Sequence, residues 1–416
     1  MQSSALDALI YDWNLADSHA PRPARAIEFD DETLRDGLQS PAVTNPSIDA
    51  KIRILHLMDR LGIDTANLGL PGAGPFHLSH IEALTREIAT AKLSIGANVA
   101  CRTVVSDVEP IVGLTQKVGI PIEVCTFIGS SRIRSYTEDW DLDRMLRSTE
   151  ECLTFCAQHS LPVMYVTEDT TRAHPEILER LYGLAIDLGA KRLCFCDTCG
   201  HATPDGVRAL IRFGKALVKR KGKLGEVKID WHGHQDRGLG VVNTIAAIEA
   251  GADRVHGCAL GIGERSGNAA MDLILVNLRL LGWIDNDLSA LGDYCRAVAD
   301  AVKVEIPHNY PVFGKDAFET ATGVHAAAVV KAFKKGDSRL ANLVYSGVPA
   351  DLVGLEQRIR VGPMSGRSNV AFWLEKNGYT ASDALVQRIL DAGKSSPRLL
   401  EDDEIHALAR GAAVAS

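Results

Sequence analysis

PVMYVTEDTTRAHPEILERLYGLAIDLGAKRLCFCDTCG, residues 162–200, holds two short apolar runs, PVMYVTE (162–168) and RLCFCDT (192–198), separated by a longer segment. Runs of this kind, apolar on consecutive positions, are what strands buried on both faces of a parallel sheet look like. Working outward, the same alternation recurs between residues 26 and 260. The further runs are AIEFDD (26–31), DTANLGL (64–70), LSIGANVA (93–100), PIEVCTFI (121–128), KIDWHGH (228–234) and DRVHGCAL (253–260). Intervening segments such as IDAKIRILHLMDRLG and NTIAAIEAGA carry helical periodicity and close on Gly. Eight strand-helix alternations predict an α/β fold, a (β/α)8 TIM barrel. A doubly wound open sheet usually has fewer strands and opens on a Gly-rich phosphate turn, and no GxGxxG follows the first strand here. The expected division is an N-terminal tail over 1–25, a barrel over 26–284 and a mainly helical C-terminal extension over 285–416, the last including a turn around HNYPVFGKDAF.

Composition narrows the function. Hydrophobic residues make up 46% and charged residues 24% of 416, the balance of a globular protein. The net charge of −8 is spread along the chain, and the basic cluster KRKGK at 219–223 reads as a solvated helix end, so no nucleic-acid partner is expected. No apolar run approaches the roughly 20 residues that span a bilayer. The N-terminus carries Asp7, Asp12 and Asp17 and lacks a basic start with an apolar stretch, which predicts a cytoplasmic protein. Nine cysteines, an odd number, read as reduced and mostly buried thiols. Cys194, Cys196 and Cys199 lie close in sequence, yet no fourth soft ligand is near, so core thiols are favoured over a zinc site.

Catalytic groups of a barrel collect at the C-terminal ends of its strands. The first strand runs into Asp31-Glu32-Thr33-Leu34-Arg35-Asp36-Gly37-Leu38-Gln39, the fifth ends in Glu168-Asp169, the sixth in Asp197-Thr198 and the seventh in His232-Gly233-His234-Gln235-Asp236. The eighth runs on to Glu264, Arg265 and Asn268. His232 and His234, two apart on an extended backbone, project from one face with Cα atoms about 6.6 Å apart. With Asp36 they form a set of two histidines and one carboxylate, to which Asn268 can add a carbonyl oxygen. Such an N/O set suits Mg2+, Mn2+, Co2+ or Zn2+. HxH by itself is more often two ordinary polar residues at a loop mouth; HxH together with RDG on the first strand is far more specific. Arg35 beside a ligating Asp36 makes sense when an anion lies between guanidinium and cation, the structural alternative being a pair with Asp31 or Glu168.

DETLRDGLQSP, HGHQDRGLGVVNT and GIGERSGNA together resemble the DRE-TIM metallolyase superfamily, in particular its acyl-CoA-condensing branch of 2-isopropylmalate, homocitrate and citramalate synthases. The resemblance runs from about 26 to 376, through FGKDAFETATGVHAAAVVK, VYSGVPADLVG and SGRSN. It implies Asp36, His232 and His234 as metal ligands with Asn268 in or beside that shell, and Arg35 steadying the 2-oxo oxygen. It further implies Thr198 on the substrate carboxylate, Gln39 and Arg134 as substrate contacts, Glu168 as the catalytic glutamate, and His325 with Tyr345 supplied from beyond the barrel. The implied reaction is a Claisen condensation of acetyl-CoA with a 2-oxo acid followed by thioester hydrolysis, with His325, tuned by Glu168, as base.

The lyase branch that splits 3-hydroxy-3-methylglutaryl-CoA usually ends soon after the barrel and carries a Gly-Gly-Cys loop, where this chain has GIGERSGN and a long extension. A silent barrel acting as a binding subunit is disfavoured by the full polar set. For the substrate, LRDGLQSP and GERSGN lean to the isopropylmalate type, whereas Arg134 in GSSRIRSYT and TGVHAAA lean to the homocitrate type and an anionic 2-oxo acid. The resemblance also implies a homodimer whose post-barrel helices cover the partner's barrel mouth. A leucine-sensing regulatory domain is not expected after residue 416.

Overall fold

The structure, a computed structural model, describes residues 6, 9–15, 23 and 26–411. The expectation for the 1–25 tail falls largely outside them. In chain order the elements are β1 (Glu28–Asp31), α1 (Ile48–Arg60), β2 (Thr65–Asn67), α2 (Pro75–Ala91), β3 (Gly96–Arg102), α3 (Val105–Val118), β4 (Ile122–Gly129), α4 (Arg132–Glu138), α5 (Leu142–Gln158), β5 (Val163–Glu168), α6 (Pro175–Asp187), β6 (Arg192–Asp197), α7 (Pro204–Arg220), β7 (Lys228–Gly233), α8 (Gly240–Ala250) and β8 (Arg254–Gly257). There follow α9 (Met271–Leu280), α10 (Leu291–Val302), β9 (Glu319–Thr320), α11 (Gly323–Lys334), α12 (Ser338–Leu343), β10 (Arg358–Ile359), α13 (Arg367–Lys376), α14 (Asp383–Ser395) and α15 (Asp402–Arg410). Strands β1 to β8 pair in parallel in sequence order and close into a barrel, with Asp31 opposite both Ala66 of β2 and Gly257 of β8. The (β/α)8 expectation holds. No described helix is long and apolar enough to cross a membrane.

Helix starts follow local chemistry. Ser47 accepts from the Ala50 N–H ahead of α1, and Thr203 from the Gly206 N–H ahead of α7, where Pro204 occupies the first position. The basic cluster at the end of α7 is tied at the surface, Arg220 to Glu179 at 2.8 Å and Lys221 to Asp187 at 2.6 Å. Exposed pairs of this kind are worth about 1 kcal/mol at most.

The lumen is divided by chemistry. On β4 to β6, Cys125, Met164, Cys194 and Cys196 pack as one buried group, and eight of the nine cysteines are buried thiols. On β7, β8 and β1 the inward positions are ionic. Arg254, 2% exposed, donates to Asp230 at 2.7 Å and to Glu123 at 2.6 Å, while Arg192 holds Asp230 at 2.9 Å and Glu28 at 2.8 Å. Removing one partner of such a buried pair costs about 3–5 kcal/mol because the other charge is left alone.

Contacts divide the chain between Glu305 and Ile306, beyond residue 284. The reason is α10, which packs on α1 and buries Leu291, Tyr294, Val298 and Val302. The Tyr294 hydroxyl donates to Asp31 and lies 3.1 Å from the Thr33 hydroxyl. Thr33 in turn accepts from the Ala259 N–H at 2.8 Å, so α10 braces the loops after β1 and β8. The following unit has its own cores, one built on Ala326, Val329 and Ile359 and another on Trp373, Ile389 and Ile405.

Burial pushes the Asp31 carboxyl up to about 7 against the opposing bonds from Thr33 and Tyr294. An unfolded Asp ionises near pH 3.9, so between about 4 and 7 the folded state binds the extra proton and stability falls as pH rises. Asp31→Asn is expected to remove that part of the slope. Urea denaturation of both proteins across pH 4 to 7 checks it; identical slopes would exclude Asp31 as the source.

Candidate active site

A cavity of about 290 Å³ opens at the C-terminal ends of the strands. Of the residues expected from sequence, Arg35, Asp36, Gln39, Glu168, Thr198, His232 and His234 line it. Asn268 lies beside it, joined to His234 by an antiparallel bridge. Arg134, on the first turn of α4, does not line it; His325 and Tyr345 belong to the unit after Glu305.

Period-2 geometry at the end of β7 brings the two imidazoles together, with ring centroids 5.1 Å apart. Asp36, in the turn after β1, places Oδ2 3.3 Å from His232 Nε2 and 3.8 Å from His234 Nε2. Their ligand atoms all lie within 4.8 Å of one another, as those of a metal-holding group must. Burial, reinforced by the neighbouring His232, lowers His234 to about 4, so its imidazole is neutral near pH 7, the form that ligates. Asn268 spends its N–H on the Ile262 carbonyl at 3.1 Å, which leaves Oδ1 as a buried oxygen without a partner among the described residues. That spare acceptor and the neutral imidazole fit a divalent cation. No thiol takes part in either metal-competent group among the described residues.

The second such group is Glu32, His232 and His256. Glu32 lies 3.1 Å from His232 Nδ1 and 3.0 Å from His256 Nδ1, and accepts from Arg35 at 2.7 Å. His256 Nε2 reaches Asp230 at 3.2 Å, so a buried chain runs from the ionic floor to the site. A carboxylate on His232 Nδ1 orients the ring so that Nε2 faces Asp36. Burial opposes the charge on Glu32, yet Arg35 and His232 hold its carboxyl well below the usual range. Arg35 therefore pairs with Glu32 and approaches Asp36 at 3.6 Å, not Asp31 or Glu168, and its Nε has no partner among the described residues.

At the opposite rim, burial raises the Glu168 pKa while Arg134 pulls the other way. The Arg134 guanidinium binds Glu138 at 2.9 Å and comes within 3.9 Å of Glu168. Gly129, which ends β4, makes room for this approach: a Cβ there would meet Arg134 Cγ at 2.6 Å. The Thr198 hydroxyl accepts from the Asp169 N–H at 2.8 Å, and Arg265 clasps both the Thr198 carbonyl and Asp236, tying together the ends of β6, β7 and β8. In the later unit, His325 on the first turn of α11 stacks on Tyr345 with centroids 4.4 Å apart, and both side chains are exposed.

Sequence reasoning passed over His256 and Asn67, which also line the cavity. The signal was present: both occupy inward positions of their strands, His256 two residues beyond Arg254 and Asn67 two beyond Thr65.

A closed barrel with a His-x-His and Asp cluster at its mouth defines a class, and the chain belongs to the HMGL-like family, whose model matches residues 26–298. The 2-isopropylmalate synthase of Pyrococcus furiosus is 30% identical over 375 residues, 88% of this chain and 71% of that protein. Homocitrate synthase of Methanopyrus kandleri is 29% identical over 373 residues, covering 88% and 87%. Among solved structures, the HMG-CoA lyase of Brucella melitensis matches with a TM-score of 0.55 at 16% identity, over 67% of this chain and 99% of that one, a likeness of fold alone.

Proposed function

We propose that the chain condenses acetyl-CoA, or a close acyl-CoA, with a 2-oxo acid and hydrolyses the thioester to give a 2-substituted malate. The observation that carries this reading is the Asp36, His232 and His234 cluster with Arg35 beside it, 3.6 Å from Asp36, on one cavity. The synthase relatives match 88% of the chain, including the region past the barrel, whereas the lyase structure covers 67%. Asp36, His232, His234 and the Asn268 oxygen would hold a Mg2+, Mn2+, Co2+ or Zn2+ ion, which when bound would supply Lewis-acid polarisation of the 2-oxo carbonyl, worth several kcal/mol. Arg35 donates to the oxygen that becomes the alkoxide, and Thr198 and Gln39 hold the substrate carboxylate. His325, oriented by the Tyr345 ring, takes the proton from the acyl methyl and the freed carbon attacks the 2-oxo carbon; the alkoxide takes up a proton, water cleaves the thioester to a carboxylate and CoA leaves as a thiol. The reading includes a cytoplasmic homodimer with His325 reaching the partner's barrel.

The substrate type is 2-isopropylmalate synthase-like, with an uncharged side chain. Arg134 is occupied by Glu138 and Glu168, and the cavity wall near them is Phe127, Met164 and Val166. A homocitrate synthase-like use of 2-oxoglutarate would require Arg134 to leave both carboxylates. Thiol release from acetyl-CoA with Mn2+ or Mg2+ is the test, against 2-oxoisovalerate, pyruvate, phenylpyruvate, oxaloacetate and 2-oxoglutarate. The uncharged acids are expected to turn over faster. A clear preference for 2-oxoglutarate shifts the assignment to the homocitrate type, and no release with any acid sinks the condensation.

A further inference from the structure

Asn67 ends β2 with its side chain fully buried, and it lines the cavity. Among the described residues, neither its Nδ2 nor its Oδ1 has a hydrogen-bond partner. The obvious neighbour, Asn98, directly opposite on β3, gives its amide N–H to Asp30 at 2.8 Å instead. Buried carboxamides are ordinarily satisfied at both ends, and one left unmade at both is a cost that a ligand can relieve. Apart from Gln39, Glu168, Thr198 and Glu264, the wall away from the Asp36 and Glu32 clusters is apolar or sulfur-bearing, as at Ala100, Cys125, Phe127, Met164 and Val166. Of the cationic groups that line the cavity, Arg35 pairs with Glu32 at 2.7 Å and is the group assigned to the 2-oxo oxygen, and His256 pairs with Glu32 at 3.0 Å. A second carboxylate on the substrate would therefore find no free cation there.

We propose that Asn67 reads the side chain of the 2-oxo acid, and that this side chain is uncharged, mostly apolar and ends in a group that both donates and accepts a hydrogen bond, a hydroxyl or a carboxamide. A carboxamide facing Asn67 head to head satisfies both amides at once; a hydroxyl satisfies them in turn through its proton and its lone pairs. The inference rests on the condensing reading for the identity of the ligand as a 2-oxo acid. Its physical content is narrower, a demand by one buried side chain.

Matched pairs of near-equal shape test it: 4-hydroxy-2-oxobutanoate against 2-oxopentanoate, and 2-oxosuccinamate against 4-methyl-2-oxopentanoate. Each is measured by thiol release with acetyl-CoA and, separately, by calorimetric binding to the Mn2+-loaded protein without acyl-CoA. The polar member of each pair is expected to win by about 10- to 100-fold in kcat/KM and in affinity. In Asn67→Leu the order should invert or level. Equal handling of both members by the unaltered protein overturns the proposal, as does an unchanged ratio in Asn67→Leu; a buried water that satisfies Asn67 would give the former. Absence of thiol release with all four acids would refute the condensation instead, and the binding ratios would still decide the role of Asn67.

Discussion

Asp36→Ala is expected to abolish tight divalent-cation binding and to lower thiol release by about 10³-fold or more, since a Lewis acid at the carbonyl is worth several kcal/mol. Asp36 supplies the carboxylate oxygen of its group, with one oxygen facing both imidazoles at 3.3 and 3.8 Å. The fold should survive the change, because Arg35 keeps its shorter pair with Glu32. Mn2+ titration followed by electron paramagnetic resonance reads the affinity directly, with circular dichroism as the check on folding. A graded response is expected next to it: Glu32→Gln keeps the shape that orients His232 but removes the charge, and affinity should fall about 10- to 100-fold. Wild-type Mn2+ affinity in Asp36→Ala would move the cation elsewhere and remove the basis of the proposed chemistry.

The barrel was legible because strands buried on both faces leave continuous apolar runs, and each of the eight runs became a strand. Their edges were less so. The run beginning at Leu93 becomes strand only at Gly96, because the Leu93 N–H closes the end of α2 on Ile88 and Asp59 captures the N–H groups of Ser94 and Ile95. That His232 and His234 share a face was readable from their spacing, and their pairing with Asp36 from the RDG run on the first strand. The chain behind it was not: Glu32 meets His256 only because β8 closes on β1, a contact 224 residues apart that no local pattern announces. The placement of α10 was hidden for a related reason. Its apolar stripe says that it packs, and the partner, α1, lies far back in the sequence.

His325→Ala is expected to cut thiol release by about 10²–10⁴-fold while leaving 2-oxo acid and Mn2+ binding near their original values, since a positioned proton acceptor contributes on that scale. Two observations separate it from the barrel groups. His325 is exposed and stacked on Tyr345, in the unit after Glu305, so its loss disturbs no buried contact. The residues that line the cavity, by contrast, all precede that point. Calorimetry with 2-oxoisovalerate gives the binding half of the prediction and a thiol assay the other half; equal loss of both would show that His325 acts by holding structure. The proposed homodimer adds a sharper consequence. Mixing subunits carrying His325→Ala with subunits carrying Asp36→Ala gives mixed dimers in which, if each His325 serves its partner, one site bears both lesions and the other bears none. About a quarter of the original activity should then return in an equal mixture. A base that served its own barrel would leave every site in the mixture damaged, and no activity would return.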